Sequence, residues 1–168
     1  VVEGLGAEAM IEVAMKWRAV ALAAQHGLSR CLHNLKDGRK DANGAEQVAG
    51  IGADMHIMGA IGEAAVAQHY GIEWKPMEFR RVDVGGFEVR STDYKLGRLV
   101  LHEGDRIGCP YILARLHKLP VVVLVGWLAG EDGMRKDWWG ECNPARPNGR
   151  PAFWVPNAEL HDMEELRA

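Results

Sequence analysis

Cysteine is scarce, aromatic residues are few and no long hydrophobic run is present, and each shortage excludes a class of protein. The three cysteines, Cys31, Cys109 and Cys142, are widely spaced and form no Cys-x-x-Cys pair. That pattern argues against a disulfide scaffold and for a reducing compartment. Their spacing from His33, His117 and His161 fits no compact zinc site. The apolar run from Val121 to Leu128 is eight residues, far short of the roughly 20 that cross a bilayer. A charged n-region followed by an apolar h-region is also missing, so the cytoplasm is the expected location and no membrane partner is expected. Charge of one sign is lacking too: 20 Lys+Arg stand against 23 Asp+Glu, for a formal charge of −3. Attraction to nucleic acid must therefore come from a local basic patch. No Gly-x-x-x-x-Gly-Lys-Ser/Thr loop and no Gly-x-Ser-x-Gly elbow occurs, which argues against P-loop chemistry and leaves a serine hydrolase unsupported.

What is present is an ordinary globular composition, with 168 residues, 48% hydrophobic and 26% charged, and an excess of glycine at 20 residues. One domain over 1–168 is expected, large enough to bury a core without staples. Apolar residues at spacings of three and four from Met10 to Leu35 predict an amphipathic helix over 7–35, with Gly27 a point where it splits. The polar stretch Lys36 to Gly44 reads as a loop, and Arg39 occupies the place where a calcium loop needs an oxygen ligand. A second helix is expected from about Gln47 to Tyr70, ended by Gly71. Its glycines Gly59 and Gly62 predict close approach of another backbone. Strands follow at Met77 to Val84, Phe87 to Thr92, Arg98 to His102, Tyr111 to Leu116, Val121 to Trp127 and Phe153 to Val155, with Leu119-Pro120 a turn. Residues 131–150 form a long excursion carrying Trp138 and Trp139, and Asn157 is placed to cap a short C-terminal helix over about 157–166. The class is α+β: a helical part over 7–70, then a strand-rich part over 73–156 with a mixed, mainly antiparallel sheet of about five strands.

The chemistry concentrates in Arg81-Val82-Asp83-Val84-Gly85-Gly86-Phe87-Glu88-Val89-Arg90. A Gly-Gly connection favours a primed two-residue hairpin turn, pairing Val84 with Phe87, Asp83 with Glu88 and Val82 with Val89. Alternation then makes one face apolar and gives the other Asp83, Glu88 and Arg90. Facing carboxylates repel unless a cation compensates. Mg²⁺ suits such a pair, because it takes hard oxygen ligands and keeps its waters. A solvated face neutralised by Arg81 and Arg90 is the alternative reading of the same residues.

The order Glu63 on a helix, Asp83 at the end of one strand and Glu88-Val89-Arg90 on the next resembles the PD-(D/E)XK nuclease superfamily. The blocks Gly62-Glu63-Ala64-Ala65-Val66-Ala67, Asp83 to Arg90, Gly126-Trp127 and Arg150-Pro151-Ala152-Phe153-Trp154-Val155-Pro156 are similar to small phage- and prophage-encoded proteins of that type. The resemblance spans roughly residues 50 to 165. It implies a restriction-endonuclease-like core, Mg²⁺ or Mn²⁺ held by Glu63, Asp83 and Glu88, and hydrolysis of DNA in a phage-infected or lysogenic bacterial cell. Arg90 stands where the superfamily has lysine. An arginine stays protonated and cannot be a general base, but it can clamp a phosphate. Lys95 is an auxiliary candidate, and so is His56, two helical turns before Glu63.

Arg80, Arg81, Arg90, Lys95 and Arg98 form the candidate DNA patch, which Lys36, Arg39 and Lys40 would extend. His102 is a further, less defined candidate. Trp138 and Trp139 either stack on bases or pin their loop to the body. The first expectation is thus a metal-dependent deoxyribonuclease with Glu63, Asp83, Glu88 and Arg90 as catalytic residues. The second is a catalytically inactive module of the same fold that binds DNA or a protein partner, and the third is an assembly protein. Homo-oligomerisation is left open.

Overall fold

The structure, a computed structural model, describes residues 10–38, 51–76, 83–140 and 151–167. Its first element departs from the sequence expectation. Strand β1 (Ile11–Ala14) stands where the start of a helix was expected, and it pairs antiparallel with β5 (Val121–Ala129), Ile11 facing Leu124 and Ala14 facing Val121. Apolar residues at 10, 13, 14 and 17 fit a helical stripe, but Ile11-Glu12-Val13 also alternates. The backbone groups along this edge of β5 need partners, and supplying them outweighs the local periodicity.

Helix α1 (Trp17–Lys36) runs unbroken through Gly27. It turns its small side inward: Val20, Ala23, Gly27 and Cys31 are buried, whereas Trp17 is 63% and Leu32 57% exposed. Only part of the expected apolar stripe therefore faces the core. A Cβ at Gly27 would meet the backbone of His56 and Ile57, so the two helices approach to backbone contact there.

Helix α2 (Ile51–Tyr70) ends at Gly71, whose φ is +65°, as expected. Ala60, Ile61, Ala65, Val66 and Ala67 are all buried, because α2 packs against both α1 and the sheet. A Cβ at Gly62 would strike the Ser91 hydroxyl, while Gly59 has open space around it. Of the two glycines, Gly62 alone has a close neighbour, and that neighbour is the Ser91 side chain and not the backbone that was expected.

Two sheets form where one of about five strands was expected. The larger has the order β1-β5-β4-β2, where β2 is Glu88–Thr92 and β4 is Pro110–Lys118. β4 and β5 form an antiparallel hairpin across Leu119-Pro120, and β2 lies parallel to β4. The smaller sheet has the order β3-β7-β6, with β3 Leu99–Leu101, β7 Ala152–Val155 and β6 Trp139–Gly140, all antiparallel. Alternation along β4 explains the two layers. Ile112, Ala114 and Leu116 join α1 and α2 in one core. Tyr111 and Leu113, pointing the other way, join Leu99, Leu101, Phe153 and Val155 in a second.

The expected C-terminal helix is replaced by two 3₁₀ turns, Asn157–Glu159 and Met163–Glu165. His161 between them donates its backbone N–H to Trp127 (2.9 Å) and accepts one back (3.1 Å). That pairing holds the segment extended and is incompatible with a helix running through it. Asn157 caps nothing. Of the excursion after Ala129, a one-turn helix α3 (Gly130–Gly133), a 3₁₀ turn at Lys136–Trp138 and β6 are described. Residues 141–150 of it, and 77–82 of the first expected strand, lie outside the described residues.

Candidate functional site

The site is built on the Gly85-Gly86 turn. Both glycines have positive φ (57° and 98°), the region that a primed hairpin turn requires and that side chains disfavour. Val84 and Phe87 pair across it as expected. The next pair differs from expectation. The N–H groups of Asp83 and Val84 both donate to the Phe87 carbonyl, each at 3.1 Å, a bulge that takes Asp83 out of regular register. Its carboxylate instead accepts the Val89 N–H at 2.9 Å.

Side-chain alternation then separates two of the three expected metal ligands. Val89 lies in the helix-side core, and Ser91 abuts Gly62 of α2, so Glu88 and Arg90 point to the opposite face of β2. The helix has buried the apolar face of the hairpin, as the hydrophobic effect dictates, and Glu63 is on that helix. Glu63 and Glu88 therefore stand on opposite sides of β2, with Asp83 at the turn between them.

Glu63 is 5% exposed and fully engaged. Arg30 binds it bidentately, Nη1 to Oε1 and Nη2 to Oε2, both at 2.6 Å. Trp74 Nε1 donates to Oε2 at 3.1 Å, and Arg30 Nε donates to the Pro76 carbonyl at 2.6 Å. Burial pushes the Glu63 carboxyl up, against the downward pull of Arg30. Nothing in the spacing of residues 17–36 singled out Arg30. It is a polar residue on a helix whose inward side the apolar pattern misassigned.

On the far face Glu88 is flanked by Arg90 Nη1 at 3.7 Å and Arg106 Nη1 at 3.8 Å. Burial, and next the Asp83 charge, raise its carboxyl to about 7 in spite of these cations. Arg90 Nη2 meets Asp105 at 2.9 Å, and its guanidinium lies 5.1 Å from the Tyr111 ring centroid. Asp105 also accepts the His102 backbone N–H at 3.0 Å. Burial alone would raise Asp105, but hydrogen bonds from His102 and the Arg90 charge hold it at about 2. The Arg106 N–H donates to Tyr111 Oη at 2.8 Å. Sequence reasoning missed Asp105, Arg106 and Tyr111: the first two sit in the turn-rich stretch Glu103 to Gly108, and Tyr111 reads as core.

Among the described residues no group of three or more His, Cys, Asp or Glu side chains could hold a metal ion. The trio of Glu63, Asp83 and Glu88 does not fit one ion as arranged, since both Glu63 oxygens are taken and Glu88 faces away. Asp83 and Glu88 are the two carboxylates left, and a Mg²⁺-type ion needs only one or two while it retains water.

The basic patch is partly in place. Lys95 and Arg98 are exposed in the turn after β2, with no ion pair among the described residues. Buried Arg115 pins that turn by donating Nη2 to the Gly97 carbonyl at 2.9 Å. Arg80, Arg81, Arg39 and Lys40 lie outside the described residues. His56 is part-buried where α1 and α2 touch, on the Glu63 side of α2 and away from Glu88. Trp138 packs on the second core and stacks under Arg135 (4.5 Å), and Trp139 packs on Phe153 (4.8 Å). Both tryptophans thus hold their loop to the body.

No protein-family profile, curated protein or solved structure matches this chain. Among the described residues no helix is long and apolar enough to cross a membrane.

Proposed function

We propose that the chain is a divalent-metal-dependent DNA phosphodiesterase of PD-(D/E)XK type, phage- or prophage-related and acting in the bacterial cytoplasm. The observation that carries this reading is the juxtaposition at one end of β2. The carboxylates Asp83 and Glu88 lie beside two arginines, Arg90 and Arg106, each within 4 Å of Glu88. Carboxylates offer a cation its hard ligands, and guanidinium groups offer a phosphate its donors. Asp83 and Glu88 would hold Mg²⁺ or Mn²⁺, which supplies an acidified water and polarises the phosphoryl oxygen. Arg90 is held by Asp105 and by the Tyr111 ring, so its fork is oriented before substrate arrives. It binds and steadies negative charge on the phosphate and takes no proton. Lys95 and Arg98 extend contact along the DNA backbone from the other end of β2.

Glu63 in this reading is a structural anchor in place of a third ligand. One observation favours the second reading, a nuclease fold that binds DNA or a protein without cutting: the bidentate Arg30–Glu63 pair leaves two carboxylates for the ion.

A plasmid-nicking assay with Mg²⁺, Mn²⁺ and EDTA separates the two. Cleavage that needs metal, and falls at least about 100-fold in Asp83→Ala and Glu88→Ala, is the expected result. Intact plasmid under every metal, with metal and DNA binding retained, would leave the binding module as the function.

A further inference from the structure

Helix α1 leaves a line of apolar side chains in water. Trp17, Ala21, Leu28, Leu32 and Leu35 are exposed, and Ala24 among them is part-buried. At about 100° per residue they fall within an arc of roughly 80°, next to the arc that Val20, Ala23, Gly27 and Cys31 bury. Leucines exposed singly are ordinary, whereas a continuous line of them marks a surface that associates. From Trp17 to Leu35 the line runs about five turns, or ~27 Å, at steps of three and four residues. A seam this narrow seats one helix, while a bilayer surface calls for a broader apolar face.

The charge beside the seam has one sign. From Lys16 to Lys36 the chain carries no Asp or Glu. Lys16, Arg18 and Lys36 are exposed and make no ion pair among the described residues, and Arg30 is spent on Glu63. The N-cap Lys16 makes no side-chain cap bond, and the first turn holds no acid. Helix N-termini favour carboxylates, so Arg18 stands at the wrong end of the helix dipole. A second copy of α1 laid on this seam would set cations against cations. An acidic helix would compensate them.

We propose that the exposed face of α1 docks an amphipathic helix of a partner protein, about five turns long, whose apolar seam is flanked by Asp and Glu. The partner's apolar side chains cover the line from Trp17 to Leu35, and its carboxylates meet Lys16, Arg18 and Lys36. A carboxylate at the Lys16 end also serves the uncapped N–H groups of the first turn. Docking is independent of the chemistry at β2, because none of these residues belongs to that site.

The test uses two labelled synthetic helical peptides of about three heptads, alike in Leu at positions a and d and differing in Glu or Lys at e and g. Their binding to the full chain is read by fluorescence anisotropy for wild type, Leu28→Ser/Leu32→Ser and Arg18→Glu/Lys36→Glu, after circular dichroism has verified folding. Wild type is expected to prefer the Glu peptide at least about tenfold, and less so at high salt. The serine variant should bind it at least about tenfold more weakly, and the charge-reversed variant should prefer the Lys peptide.

Binding of neither peptide, or of both equally, overturns the proposal, and so does unchanged affinity in the serine variant. Should the serine variant fail to fold, an unchanged preference in the charge-reversed variant overturns it equally. Two further outcomes would assign the face to another occupant and overturn the proposal. One is a wild-type dimer in sedimentation equilibrium that the serine variant loses. The other is binding to phosphatidylglycerol–phosphatidylcholine vesicles that the same variant loses.

Discussion

The two faces of β2 handle arginine and carboxylate in opposite ways. On the helix side one guanidinium meets one carboxylate in two 2.6 Å bonds, and Glu63 is buried. On the other side Arg90 and Arg106 share Glu88 at 3.7 and 3.8 Å, and Arg90 gives its short contact to Asp105 instead. The first arrangement is stoichiometric and closed. The second leaves Glu88 incompletely neutralised and holds guanidinium groups that have hydrogen-bonding capacity to offer an incoming anion. Fully satisfied buried pairs specify structure, whereas loosely satisfied charges at a rim are available to a ligand.

Breaking the closed pair is expected to have the largest effect. Arg30→Ala strands a buried carboxylate and should cost about 3–5 kcal/mol of stability in urea titration. Glu88→Gln on the other face should do the reverse in metal-free protein. Because the folded carboxyl is raised to about 7, the folded state resists its charging, and stability falls as pH rises from the ordinary carboxylate range towards 7. The Gln variant should lack that fall and be the more stable of the two at neutral pH. A Glu88→Gln variant less stable than wild type at pH 7 would erase the contrast between the faces.

Asp105 supplies a sharper check of the rim network, with the opposite sign. Its folded value of about 2 lies below the ordinary 3.8, so its contribution is complete above the unfolded value and lost as pH falls through the folded one. Melts from pH 5 down to pH 2 should show a loss of about 2 kcal/mol that Asp105→Asn does not show.

The smallest effects concern the glycines of α2. Gly62→Ala should destabilise by about 1–3 kcal/mol, since the new methyl meets Ser91. Gly59→Ala, with open space at its Cβ, should stabilise by up to about 1 kcal/mol through helix propensity. Equal shifts in thermal melting for the two would show that α2 does not approach β2 as closely as described.

Much of the scaffold was legible because its signals are local. Gly71 ends α2, Gly85-Gly86 make the tight turn, and Val121 onward forms the long strand after Leu119-Pro120. Apart from the local bulge that takes Asp83 out of register, the failures involve partners distant in sequence. β1 is a strand because the edge of β5 needs hydrogen bonds, and the C-terminal segment stays extended because His161 pairs with Trp127. β3 leaves the expected single sheet to pair with β7, over 50 residues later. At the site, Asp83, Glu88 and Arg90 could be named from alternation and turn chemistry alone. Arg30, Asp105 and Arg106 could not, because no spacing rule links them to the hairpin.

By itself the sequence determined the α+β class, the hairpin turn and the residue types that carry charge beside it, since all of these follow from backbone preference and short-range periodicity. Only the tertiary structure decided which face of β2 the helix covers. That choice placed Glu63 with Arg30 and left Glu88 with Arg90 and Arg106, because burying Val84, Phe87 and Val89 against α2 turns the even-numbered side chains of β2 outward.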